Sequence, residues 1–182
     1  YLTGPYGKKF EKEFSKYIDN KYSVAICNGT AALEVAIKSL KLPKSSEIIV
    51  PARSFFSSAS SIVNTGHTPV FADIDLLTQN ISLADIKKKI NYKTKAIICV
   101  HLGGLPCDMQ GIKSIAIKNK LKIIEDCSQA HGASINNKQV GSFGDVGIWS
   151  FCNDKIISTL GEGGMISTNN KKIYNFCKVY IN

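Results

Sequence analysis

Chemistry-bearing residues cluster where apolar, strand-like runs end. The richest stretch is Trp149-Ser150-Phe151-Cys152-Asn153-Asp154-Lys155, followed by Gly161-Glu162-Gly163-Gly164. Lysine is plentiful in the chain, yet Lys155 alone falls between Lys138 and Lys171. Apart from Asp145, Asp154 and Glu162, its surroundings are glycine, apolar and small polar residues. An amine in such a zone is a candidate for partial desolvation, which makes it a nucleophile. Composition alone favours the plainer reading, a lysine on a surface turn. A second stretch is Glu125-Asp126-Cys127-Ser128-Gln129-Ala130-His131-Gly132. A carboxylate at the end of a buried strand needs a partner or costs several kcal/mol. Asp126 therefore reads as an N-cap, an ion-pair member or a ligand to a cationic nitrogen. His131 reads first as a satisfied structural histidine and second as a catalytic group. Asn28-Gly29-Thr30 opens a helical run, and exposed N–H groups beside a glycine can bind an anion. Taken alone, that stretch reads first as an ordinary strand-to-helix turn. In Pro51-Ala52-Arg53-Ser54-Phe55-Phe56, the aromatic pair could cover a planar ring, although core packing is the first expectation.

The elements that would carry these groups follow from hydrophobic periodicity. Strands are predicted at Tyr22–Cys27, Glu47–Val50, Pro69–Ile74, Lys95–His101, Lys122–Cys127, Asp145–Phe151 and Gly164–Thr168. Helices are predicted at Gly7–Ile18, carrying Phe10, Phe14 and Tyr17, and at Ala31–Leu40, Phe55–Thr65, Leu83–Ile90 and Asp108–Lys120. Repeated β-α-β order points to an α/β domain with a largely parallel seven-stranded sheet. The run Ala96–Val100 is apolar throughout, as expected for a strand covered on both faces. Only a loop separates the last two strands, so one of them is expected to run antiparallel. Ligands of open α/β sheets sit outside the carboxyl ends of the strands, where the groups above lie.

The chain has 182 residues, of which 44% are hydrophobic and 20% charged. That composition excludes disordered, collagen-like and coiled-coil classes. No apolar run approaches the roughly 20 residues of a membrane span. No charged-then-apolar leader is present, which argues against a signal peptide. The six cysteines show no C-x-x-C pair, so neither zinc nor a disulfide framework is expected. Free thiols suit a reducing, cytoplasmic compartment. The net charge is +9, but Arg53 is the sole arginine and the lysines are scattered, unlike a nucleic-acid reader. Neither a Walker loop nor G-x-G-x-x-G follows the first strand, which weakens nucleotide-phosphate and nicotinamide readings.

Taken in order, TGPYGKKFEKEF, NGTAALEVAI, EIIVPARSFFSSASSI, GHTPVFADID, TKAIICVHLGGLPCDM, IIEDCSQAHGA, VGSFGDVGIWSF and DKIISTLGEGGMIST resemble the DegT-type sugar aminotransferases. These are pyridoxal-phosphate enzymes of the aspartate aminotransferase fold. The resemblance covers nearly the whole chain, and its specificity lies in the ordered combination. It implies a three-layer α/β/α large domain over residues 1–182. By the same resemblance, the chain is about half of a family member, without the small C-terminal domain. Lys155 would bond to the cofactor's aldehyde and Asp126 would pair with the pyridine nitrogen. Gln129 would face the phenolic oxygen and Phe55 would stack on the ring. Gly29, Thr30 and Ser150 would hold the phosphate. The implied reaction moves an amino group, from glutamate for example, to a keto group of a nucleotide-linked sugar, in a homodimer. Dehydratase relatives carry histidine at the lysine position, so Lys155 favours transamination. A non-catalytic module retaining the fold is the rival reading.

Overall fold

The computed structural model describes residues 4–181. Nine strands are present: β1 (Tyr22–Ile26), β2 (Glu47–Pro51), β3 (Thr68–Ala72), β4 (Thr94–Val100), β5 (Lys122–Asp126), β6 (Ser134–Ile135), β7 (Lys138–Gln139), β8 (Val146–Ser150) and β9 (Gly164–Thr168). The helices are α1 (Pro5–Ile18), α2 (Gly29–Ser39), α3 (Ser57–Asn64), α4 (Leu83–Lys89), α5 (Met109–Asn119) and α6 (Lys171–Tyr180). Seven strands form one sheet in the order β1-β9-β8-β5-β4-β2-β3. Only β9 runs against the others, pairing antiparallel with both β1 and β8. The expected seven-stranded, mostly parallel sheet is therefore present, with the antiparallel member where the short connection required one. The small β6–β7 hairpin was not foreseen. Two-residue strands are too short to show a period.

The strand pleat sorts the core into layers. In β4, Ala96, Ile98 and Val100 pack with α2, α3 and α6, whereas Ile97 and Cys99 face α4 and α5. α1 adds a third cluster, in which Phe14 and Ile18 lie over Trp149 and Met165. This is the expected three-layer arrangement. Of the aromatic face foreseen on the first helix, Phe14 is buried but Tyr17 is 48% exposed. The helix starts are set locally. The side chains of Asn28, Ser82, Asp108 and Asn170 each accept a first-turn N–H, satisfying donors that the helix cannot.

The pleat also separates two neighbouring carboxylates. Glu125 turns to the α1/α5 side and is fully buried. Its Oε1 accepts the N–H groups of Phe143 at 2.7 Å and Gly144 at 2.6 Å. Its Oε2 accepts the Gly141 N–H at 2.8 Å and lies 3.2 Å from His101 Nε2. His101 Nδ1 accepts the Cys107 N–H at 3.0 Å, so the ring proton sits on Nε2 and points at Glu125. One side chain thus ties the end of β4 and the turn before β8 to β5. Gly141 enters that turn at φ +82°, and a Cβ there would lie 2.6 Å from the Trp149 ring.

Glu125→Ala strands three backbone donors and a buried imidazole. It is expected to cost about 3–5 kcal/mol, measured as a lower urea midpoint. Glu125→Gln keeps an acceptor oxygen and is expected to lose less.

Candidate active site

The strands of the seven-stranded sheet other than β9 deliver their carboxyl ends to one edge. A cleft of about 510 Å³ opens there, between the loops that follow β1, β2, β5 and β8. All seven residues singled out from the sequence line it: Gly29, Thr30, Phe55, Asp126, Gln129, Ser150 and Lys155. A cleft of similar size, about 520 Å³, lies by Lys113, Lys120 and Lys122, at the opposite end of β5. We place the site in the first because groups from four loops converge there.

The α2 N-terminus forms one wall. Asn28 accepts the Ala31 N–H at 2.8 Å. The Gly29 and Thr30 N–H groups, one turn too early for an intrahelical acceptor, remain as donors. The helix approaches β8 closely. A Cβ on Gly29 would stand 2.8 Å from Ser150 Cβ and 3.5 Å from Ser128 Oγ. Two hydroxyls and a positive helix end therefore meet at one point, an arrangement suited to an anion. Thr30 Oγ1 is held 2.9 Å from Ser57 Oγ.

Asp126, on the pleat face opposite Glu125, is 6% exposed. Its Oδ1 accepts the Ser128 N–H at 3.1 Å, and its Oδ2 accepts Ser58 Oγ–H at 3.3 Å. No salt bridge involves it among the described residues. Burial raises its pKa above the ordinary carboxylate range, and the bonds from Ser128 and Ser58 pull it back in part. Of the three roles open to Asp126, the ion pair is not the one adopted. Gln129 Oε1 accepts the Gly103 N–H at 2.8 Å, which leaves its NH₂ as the free end.

Lys155 follows a turn closed by its own N–H on the Cys152 carbonyl. Its side chain is 22% exposed, and Nζ lies 3.0 Å from Asp154 Oδ2. The side chain is thus partly covered, while its carboxylate partner is 64% exposed. Its present partner is the adjacent carboxylate, which sequence reasoning did not foresee. Phe55 and Phe56 stand 63% and 69% exposed, with ring centroids 4.7 Å apart. Core packing was the first expectation for them. The loop instead lifts both rings to the cleft mouth, and α3 begins only at Ser57.

His131 is buried, 5.4 Å from the Trp149 ring and 5.3 Å from that of Phe151. Among the described residues, neither ring nitrogen has a hydrogen-bond partner. Burial holds its pKa below the ordinary histidine range; the nearby Ser150 backbone offsets part of this, and the charge of Lys155 adds to it. It is not among the residues lining the cleft. Residues that sequence reasoning left without a role also line the wall: Ser54, Ser58, Ser128, Cys152 and Glu162. Glu162 accepts the Cys152 thiol at 2.9 Å and holds it above its ordinary range. The four-residue spacing of Ser54 and Ser58 was the available signal for the first pair.

Fold and cleft define an α/β domain that gathers an amine, a buried carboxylate and an anion cup at its strand ends. The sequence pattern of the DegT/DnrJ/EryC1/StrS aminotransferase family matches residues 1–182, and the chain belongs to that family. It is 44% identical over 174 residues to a GDP-perosamine synthase of Escherichia coli O157:H7, an alignment covering 96% of this chain and 48% of that protein. An aminotransferase structure from Psychrobacter cryohalolentis superposes with a TM-score of 0.96 at 49% identity, covering 99% of this chain and 46% of the other. A GDP-4-keto-6-deoxymannose-3-dehydratase with bound GDP-perosamine superposes with a TM-score of 0.90 at 35% identity, covering 94% and 46%. The chain spans about half the length of the curated relatives it matches.

Gly29→Ala pushes α2 away from Ser150. It is expected to cost about 1–3 kcal/mol and to weaken inorganic phosphate binding severalfold, read by NMR titration. The depressed pKa of His131 makes stability complete above the unfolded value near 6.5, and stability is lost as pH falls through the folded value. His67, also depressed by burial, acts with the same sign. His131→Phe is therefore expected to lose less stability than the unaltered chain between pH 7.5 and 5, measured by thermal unfolding.

Proposed function

We propose that the whole protein transfers an amino group from an amino acid, with glutamate as the favoured donor, to a keto carbon of a nucleotide-linked sugar. It would use pyridoxal 5'-phosphate held in the cleft described above. The observation that carries this reading is the convergence of Lys155, Asp126, Gln129 and the Gly29 anion cup on one cavity. The residues fit the group: an anion cup for a phosphate, a buried acceptor for a protonated ring nitrogen, and an amine within the same wall. When bound, this cofactor supplies an electron sink for charge developing on the reacting carbon.

The chain's own residues divide the remaining work. Gly29 and Thr30 N–H groups and the Ser150 hydroxyl hold the phosphate, with Ser128 beside them. Asp126 keeps the ring nitrogen protonated. The NH₂ of Gln129, turned outward by Gly103, donates to the phenolic oxygen. Phe55 covers the ring and limits tilt. Lys155 Nζ would hold the aldehyde and, as a free amine, would be the base placed to move the proton at the substrate carbon. A lysine at this position supports transamination over dehydration. We assign residues 1–182 to the cofactor-binding domain of that protein. The exposed Phe55, Phe56, Ile156 and Leu160 support a second copy of the protein packing over the cleft mouth as a homodimer. Six free cysteines support a reducing cytoplasm. No helix among the described residues is long and apolar enough to cross a membrane.

Adding pyridoxal phosphate is expected to give a violet-edge absorption band. Borohydride should fix the cofactor on a peptide containing Lys155, and Lys155→Ala should abolish the fixation. Adding glutamate to the full-length protein should then convert the bound aldehyde to the amine form. A protein that binds cofactor but shows no conversion is a non-catalytic module.

A further inference from the structure

The serines that follow β2 form a chain of hydroxyls leading to Asp126. Ser54 Oγ and Ser58 Oγ are 2.7 Å apart, and Ser58 Oγ lies 3.3 Å from Asp126 Oδ2. Ser58 is 1% exposed. An ionised carboxylate only accepts, so the Ser58 O–H points at Asp126. The Ser58 oxygen is then left to accept the Ser54 O–H. Each hydroxyl thus polarises the next toward the carboxylate. The other oxygen of Asp126 is fixed by the Ser128 N–H, so the carboxylate is held from both sides with its plane set.

We propose that Ser58, backed by Ser54, is a positioning residue that orients the Asp126 carboxylate and keeps it charged in a buried site. The proposal rests on the pyridoxal-phosphate reading only for the purpose of that charge, which is to pair with the ring nitrogen. Burial works against ionisation of Asp126, and Ser58 is among the groups that counter it. α3, the element carrying Ser58, brings hydroxyls and no ionisable group to this contact. The other charged or titratable groups around Asp126 are Glu125 and Cys127 beside it in sequence, His101 from the end of β4, and Cys152, Asp154, Lys155 and Glu162 in the wall of the same cleft. Glu125 is already committed to three backbone N–H groups and His101. The uncharged bonds of Ser58 and Ser128 therefore carry much of the local compensation.

The test compares the unaltered chain with Ser58→Ala, Ser58→Thr and Ser54→Ala. In the cofactor-free chain, carbon-13 carboxyl NMR follows the titration of Asp126. The midpoint is expected to move up in Ser58→Ala, to move up less in Ser54→Ala, and to return in Ser58→Thr. An unmoved midpoint in folded Ser58→Ala overturns the proposal. Affinity for pyridoxal phosphate is expected to fall about tenfold in Ser58→Ala, the scale of one hydrogen bond to a charged group. Affinity for the 1-deaza analogue, which lacks the ring nitrogen, should hardly change. An equal loss for both compounds marks a steric role and overturns the proposal. Should the unaltered chain not bind pyridoxal phosphate while the Asp126 midpoint still responds, the cofactor reading falls and the role of Ser58 at Asp126 stands.

Discussion

Adjacent residues on a β-strand must face opposite ways, and at the end of β5 that constraint divides two carboxylates between two tasks. Glu125 turns into the layer beneath α1 and α5, where three N–H groups and an imidazole surround it. Asp126 turns to the cleft, where a backbone N–H and a hydroxyl hold it. The first ties the end of β4 and the turn before β8 to β5, and the second is the charge that the cleft presents. A shift of one residue in register would exchange them. The side chain that needs four donors would then face an open cavity, and the one that must meet a ligand would be sealed inside.

The rest of the site follows from how a parallel sheet ends. Strands running together deliver their loops to one edge, so residues as distant in sequence as Gly29 and Lys155 meet in one cavity. Close approach depends on what is missing as much as on what is present. Gly29 lets a helix end reach Ser150, and Gly141 makes room for Trp149 in the turn that Glu125 grips. Small hydroxyl side chains are the commonest type in the wall. They donate hydrogen bonds without adding charge, which suits a cavity already holding a buried acid and an amine.

Long periodic elements were legible in the residues. The alternation of apolar and helical runs gave the seven main strands and the five inner helices to within a few residues. The apolar face of Ile112, Ile115 and Ala116 is buried as its spacing required. The lone lysine and the post-strand stretches bracketed the seven residues that now line the cleft, and the family resemblance singled them out within those stretches. Residue type alone favoured core for Phe55 and Phe56, because it says nothing of whether a loop turns inward; only the family resemblance set Phe55 apart as a residue of the site. The Lys155–Asp154 pair was missed because neighbours in a turn, unlike those in a strand, can fold onto each other.

Residue order alone therefore determined the layer pattern, the direction of most strands and the positions of the chemical groups, because periodicity and capping are local properties. Only the tertiary structure decided which carboxylate is structural, that the hydroxyl of Ser58 reaches Asp126, and that two phenyl rings stand at the cleft mouth. Those outcomes depend on distances between segments far apart in the chain, and such distances are set by packing the whole sheet.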